Sequence, residues 1–422
     1  MFKESFEKVF VAFKSKEVRD RIFFSTVILI VFRALAAVPL PGVDAGALAE
    51  LFSGNAIGDN LALLSGGLLQ TASVIAIGIG PYISASIIIQ LLGSVIPKFE
   101  ELRNEGAEGR RKLSTYTRYL TVPLAVMQSF VVYSSLRGFN LIEPLVGADL
   151  AVLIATLTAG AMIVMWMGEL VTESGVGNGS SYIILLGILA GIPEVFTKNL
   201  RTSDTLQMVW FLIILALTMI AIVIVTQAER RIKVMYSRRV RVSGNQDSYI
   251  PIKIAQFGVM PVIFAVSLIS FPALMAQFLI GRDVSDRVTE ISLQVIDFLN
   301  TPLVQNWGLF LLVVGFSFFY VTVVFNPKEL SENLQKNGGF IPGIRPGTQT
   351  SNYLRKVSFR LTAVGGVFLG ILAILPTLLV TLDLLPAQFF SGTSLLIAVG
   401  VVLDMKRQIE SMVVVRNYDK YL

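Results

Sequence analysis

Ten apolar runs divide this 422-residue chain, at roughly 22–40, 74–96, 119–136, 150–167, 178–195, 206–228, 254–281, 307–325, 361–382 and 385–403. About 20 residues of helix cross the hydrocarbon core of a bilayer, and most of the runs reach that length. Inside lipid every backbone polar group must be paired within its own segment, so the runs predict helices rather than loops or open strands. The fifth run is the weakest, being short and bounded by "GVGNGSS" and Pro193, and the break between the ninth and tenth rests on Asp383 and Pro386. At 54% hydrophobic and 15% charged residues, with mean hydropathy +0.71, the chain has too little charge to cover a water-soluble fold of its size. The fold class is therefore an all-α integral membrane protein.

Charge assigns the sidedness. With the N-terminus in the cytoplasm, segments 1–21, 98–118, 168–180, 229–253, 327–360 and 404–422 lie inside and hold 29 of the 35 Lys and Arg. The outside loops hold 5, and Arg33 falls within the first run, close enough to its end to snorkel. This is the positive-inside rule at full strength, and it places both termini in the cytoplasm. With acids included, the inside carries net +12 and the outside −7, so the overall +6 describes sidedness before it describes any nucleic-acid partner. Segment 168–180 is the one inside loop without a basic residue.

The chain has no Cys and no His, and no GxxxxGK[ST] motif. Disulfides, thiol nucleophiles, imidazole metal sites and a histidine general base are excluded, and no cofactor is expected. Without a phosphate-binding loop, any work done here draws its energy from a partner.

Ten spans divide as five and five, with halves at 1–205 and 206–422. Because five is odd, a repeated five-span unit would sit inverted, and interruptions at equivalent positions should betray it. The second span of each half carries one: Gly78-Ile79-Gly80-Pro81 and Gly258-Val259-Met260-Pro261. Ahead of span two the uncharged run extends from Asn60 to Pro97, 38 residues, too long for one helix and awkward for two. Its first part, "LALLSGGLLQTAS" (61–73), is apolar but too short to cross, and Leu64, Ser65, Gly66 and Gly67 mark a break in it. It reads as a re-entrant piece or a mobile stopper. Two inside loops exceed what a connection needs. Loop 229–253 holds seven basic residues against two acids, and in loop 327–360 Gly338, Gly339, Pro342, Gly343, Pro346 and Gly347 frame Arg345. Retention in the cytoplasm and anionic lipid account for the charge; a rigidly framed arginine also suits an anionic partner.

These stretches carry a resemblance. "SVIAIGIGPYISASIIIQLL" resembles the second-span signature of the SecY family, the channel subunits of the bacterial Sec protein translocase, and "FIPGIRPG" resembles the tip of that family's last large cytosolic loop. "EGRRKLSTYTRYLT", "PLPGVD", "ESGVGNGSSYIILLGILAGIP" and "GTSLLI" match in the same order, so the similarity spans nearly the whole chain. It implies two inverted five-helix halves clamped around a central pore, a plug at 61–73, and a side gate between spans two and three and spans seven and eight. Under it, Ile79, Ile83, Ile184, Ile188, Ile263 and Ile397 form the pore ring, and the glycines and proline of "GIGPYI" let span two kink beside it. Gln128 and Ser267 fall where the family places polar gate residues. Arg345 and one or more of Arg238, Arg239 and Arg241 would contact the motor or ribosome; the 229–253 loop is shorter than usual in the family and does not choose among the three. Implied partners are SecE-like and SecG-like membrane subunits, the SecA motor ATPase, ribosomes, signal peptides, translocating polypeptides and lipid. The implied function is a protein-conducting channel that passes unfolded chains across and releases apolar segments sideways, with no enzymatic activity of its own.

Residues alone leave rivals. An ion-coupled secondary transporter built from inverted repeats needs ionisable groups near the midplane, and only Arg33 lies within a run. An aspartyl intramembrane protease needs two acids in mid-helix, whereas Glu169, Asp383 and Asp404 stand at span ends.

Overall fold

Among the described residues, a helix falls on each of the ten apolar runs. The computed structural model describes residues 15–40, 73–138, 142, 144–145, 147–202, 205–236, 248–256, 258–280, 286–381 and 392–419. Spans one to five are α1 (Lys16–Ala36), α2 (Gly80–Val95), α4 (Ala107–Gly138), α5 (Ala148–Ser174) and α6 (Gly179–Thr202). Spans six to ten are α7 (Thr205–Gln227), α8 (Met260–Ile280), α10 (Pro302–Val324), α12 (Thr348–Thr381) and α13 (Gly392–Asp419). Three further helices among the described residues lie off the spans: α3 (Pro97–Asn104), α9 (Asp286–Asn300) and α11 (Pro327–Lys336). Among the described residues, five helices are long and apolar enough to cross a membrane when judged singly, and six if α2 and the bent α3 are counted as one. The remaining span helices, α1, α2, α4, α6 and α13, pack among these. The expected plug, with Leu64, Ser65, Gly66 and Gly67, lies outside the described residues, as do Arg238, Arg239 and Arg241.

Span two departs from expectation. Its helix is 16 residues long, roughly 24 Å, and starts at Gly80 with Pro81 in its first turn. Gly78 and Pro81 therefore begin the helix instead of kinking its middle. A proline suits a first turn, where its missing N–H would have no helical partner anyway. Residues 74–79 are turns at membrane depth, and such backbone must be shielded from lipid. Ile75, Ala76, Ile77 and Ile79 are all buried. The Val74 N–H donates to the Val38 carbonyl at 3.0 Å, and Pro39 bridges Ser73. At Gly160 of α5 an added Cβ would lie 2.1 Å from the Val74 carbonyl oxygen, so only glycine admits this backbone there.

The fifth span is longer than its apolar run, because α6 continues past Pro193 to Thr202. The loop without basic residues shrinks to the four residues between α5 and α6. Span one supplies the cation it lacks: Arg21 donates to the Gly175 carbonyl at 3.3 Å, and Ser25 Oγ accepts the Val176 N–H at 3.1 Å. The Gly177 N–H donates to Gln408 Oε1 of α13, which ties the first half to the tenth span.

The two large basic loops are not separate. "ERRIKVMY" alternates polar and apolar residues, and Glu229–Tyr236 forms β1, antiparallel to β2 (Ser248–Lys253), with Glu229 opposite Lys253. Gly339–Phe340 of the other loop adds β3 beside β1, in the order β2-β1-β3. Ile232, Val234, Ile252, Leu334, Ile341, Leu354 and Val357 bury one another beneath this sheet. Both loops thus form a single platform seated on the N-terminal end of span nine.

Candidate pore collar and gate

Span seven repeats the start of span two. Gly258 has φ 57° and Gly78 has φ 62°, left-handed values that favour glycine. Each glycine stands two residues ahead of its helix, and Pro261, like Pro81, is the second helical residue. The first helical hydrogen bonds match too: Ile83 N–H to the Ile79 carbonyl and Ile263 N–H to the Val259 carbonyl, both 3.1 Å. The two GxxP motifs are therefore one device built twice, and it sets Ile83 and Ile263 at the same height in their helices.

Around these helix starts the candidate collar assembles. Ile79, Ile83, Ile184, Ile263 and Ile397 belong to one buried apolar cluster, at 2%, 4%, 2%, 3% and 0% exposure, and half-buried Ile188 packs against it. Ile184 and Ile188 are one turn apart on α6, while Ile397 comes from the first turns of α13. Helices of both halves thus deliver their isoleucines to one buried apolar cluster. Close approach depends on small residues. Beyond Gly168 a Cβ would lie 3.3 Å from Ile79 Cδ1, and beyond Gly400 it would lie 2.2 Å from Val259 Cγ1.

The halves also meet along α2 and α4 on one side and α8 and α10 on the other. Gln128 and Ser267, the expected gate residues, are both buried on α4 and α8, which pack together. The Ser267 hydroxyl has no hydrogen-bond partner among the described residues, so no bond joins it to Gln128. Two contacts that sequence reading passed over cross the seam. Tyr320 Oη of α10 donates to Gln90 Oε1 of α2 at 3.1 Å, and Gln90 in turn donates to Ser86 Oγ at 3.1 Å. Phe130 of α4 meets Phe278 of α8 edge-on, with centroids 5.3 Å apart. A signal existed for the first: Ser86 and Gln90 are polar, one turn apart, in an otherwise aliphatic stretch of span two.

On the platform Arg345 is exposed in a turn whose backbone is pinned. The Thr350 hydroxyl donates to the Arg345 carbonyl at 2.9 Å, and the Ser331 hydroxyl donates to the Gly347 carbonyl at 2.7 Å. Gly343 and Gly347 have φ of 81° and 94°, so this loop needs its glycines as expected.

A family model described as SecY matches residues 73–406. The chain belongs to the SecY family. The protein translocase subunit SecY of Corynebacterium glutamicum is 42% identical over 441 residues, covering 97% of this chain and 98% of that relative. The corresponding subunit of Thermotoga maritima is 39% identical over 432 residues, covering 97% and 96%. Among solved structures, one described as a protein-conducting channel aligns with TM-score 0.66 at 17% identity, over 93% of this chain and 91% of that one. Sec61 from a canine ribosome-channel complex aligns with TM-score 0.62 at 17% identity, over the same shares of the two chains. At that identity the structures establish a shared fold, and the multi-pass helical membrane architecture read from the ten runs is the SecY-family one.

Proposed function

We propose that this chain is the protein-conducting channel of a Sec translocase, passing unfolded polypeptides across the cytoplasmic membrane and releasing apolar segments into the bilayer. The observation that carries the reading is the convergence of isoleucines from both halves on one apolar cluster, beside a seam with few polar contacts. An aliphatic constriction excludes water and ions by dewetting, yet has no directional bonds with which to hold a passing chain. A seam of packed helices can part for a segment that prefers lipid to water. Half-buried Ile188 then stands at the edge of the ring formed with Ile79, Ile83, Ile184, Ile263 and Ile397. Gln128 and Ser267 line the gate, and residues 61–73, with Leu64, Ser65, Gly66 and Gly67, serve as the plug.

The platform is the docking face. Arg345, and one or more of Arg238, Arg239 and Arg241, would meet the SecA motor or the ribosome, while SecE-like and SecG-like subunits would cover lipid-facing helices. The chain itself catalyses no reaction, and both termini are cytoplasmic. A coupled transporter finds little support, because among the described residues no charged side chain is fully buried. Reconstitution into proteoliposomes with SecE, SecG and SecA decides between the two. ATP-dependent protection of a preprotein from added protease supports the channel, and ion-coupled uptake of a small solute without preprotein transport overturns it.

A further inference from the structure

The hairpin β1–β2 grows from the end of span six and returns into the start of span seven, and one helix turn of span ten is bonded to its first foot and lies against its second. Arg407 Nη2 donates to the Thr226 carbonyl, at the C-terminal end of α7, at 2.6 Å. The same guanidinium pairs with Asp404 Oδ1 at 3.3 Å. The other Asp404 oxygen, Oδ2, lies 3.0 Å from where a Cβ of Gly258 would stand, against the turn that opens α8. The signs fit the helix ends. A helix C-terminus presents unpaired carbonyls and favours a cation, and an N-terminus presents unpaired N–H groups and favours an anion. Span ten places its arginine at the first and its aspartate at the second.

The rest of the junction is braced. The Ile254 N–H donates to the Ala228 carbonyl at 3.0 Å, joining the feet, and Gln256 exchanges hydrogen bonds with Ser358 of α12. Lys253, at the end of β2, faces Asp404, Arg407 and Glu229, and its ammonium is pushed below its usual value by burial first and then by Arg407. On the same helix Gly400 presses on Val259, one residue past Gly258, and Ile397 of the collar lies two turns before Asp404.

We infer that Asp404 and Arg407 are positioning residues, a charge clasp through which the β1–β2 hairpin holds the start of span seven, and with it Ile263, in the closed register. This deepens the channel reading and rests on it. A partner that pulls the hairpin loads the clasp, the Gly258 turn shifts, and the collar loosens at Ile263 and Ile397 together. Neutralising the clasp should then mimic part of that pull.

The test uses the full chain reconstituted with its membrane subunits, and compares wild type, Asp404→Asn, Arg407→Gln and the double variant. Asn keeps the shape of the aspartate without its charge. Because the chain has no Cys, Ile263→Cys in each background gives this chain a single thiol, read against Ile263→Cys alone as the reference. Each neutral variant should raise resting ion leak about fivefold and speed labelling of the introduced thiol by a small membrane-impermeant maleimide. The double variant should equal the stronger single one, since the two charges act as one unit. Leak and labelling at wild-type values in Asp404→Asn overturn the clasp, and so do single effects that multiply. A general loss of folding, seen as loss of wild-type-like yield and transport in every variant with no rise in leak, also overturns it in favour of a purely structural role. Wild-type preprotein transport, measured in the same vesicles, shows separately whether the channel reading itself holds.

Discussion

Gly78 and Gly258 share a left-handed conformation, φ 62° and 57°, each two residues before the helix of the second span in its half. An L-residue with a Cβ pays roughly 1 kcal/mol or more to sit there. Gly78→Ala and Gly258→Ala should therefore both destabilise the closed channel, lowering the thermal stability of the purified protein and raising resting leak. The second should be the worse of the two, because its new methyl group would also meet the Asp404 carboxylate at 3.0 Å. Thermal melting of the two variants in one detergent checks the order.

The Tyr320–Gln90 hydrogen bond predicts a change in what leaves the channel sideways. Removing it by Tyr320→Phe or Gln90→Leu costs the closed gate about 1 kcal/mol net, so the ratio of inserted to translocated segments should rise about fivefold for a test segment at the threshold. A graded series of Leu/Ala segments measures the shift. The double variant should shift the threshold no further than the larger single change, and an unchanged threshold in both single variants would remove the pair from the gate.

Arg345 stands exposed at a turn pinned through its own carbonyl, so its substitution should leave the platform folded. Arg345→Glu is expected to reduce SecA-driven transport roughly tenfold or more, and Arg345→Lys to do measurable harm by losing the planar two-point geometry. Insertion and orientation in the membrane should be normal in both. Motor-stimulated transport at the wild-type rate in the Glu variant would assign the arginine to topological retention, which five other basic residues of segment 327–360 could sustain.

Much of the architecture was legible because the bilayer restricts it so strongly. Apolar length and the placement of Lys and Arg located the spans, and the GxxP pair marked α2 and α8 as counterparts. What escaped was what depends on partners distant in sequence. Whether Pro81 kinks a helix or starts one is decided by residues 74–79, whose turns are sheltered by Val38 and Gly160, and no local pattern shows that shelter. The alternation in "RIKVMY" was readable as a strand, but its pairing with Gly339 and Phe340 joins residues about a hundred positions apart. Asp404 read as a span-end acid of no consequence, since its meaning comes from Gly258 and Arg407 across the fold. The resemblance pointed to Gln128 and Ser267 for the gate, whereas among the described residues a hydrogen bond across the seam joins Tyr320 and Gln90.

The central claim is that the isoleucine cluster is the seal. Resting ion conductance of the reconstituted channel, compared among wild type, Ile83→Asn and Ile263→Asn, tests it most directly. A polar group in a narrow aliphatic constriction stabilises water there. Both variants should conduct ions severalfold more than wild type at rest while still transporting preprotein, and both should accept preproteins with weaker signal sequences. Wild-type conductance in both variants would place the constriction elsewhere and contradict the account.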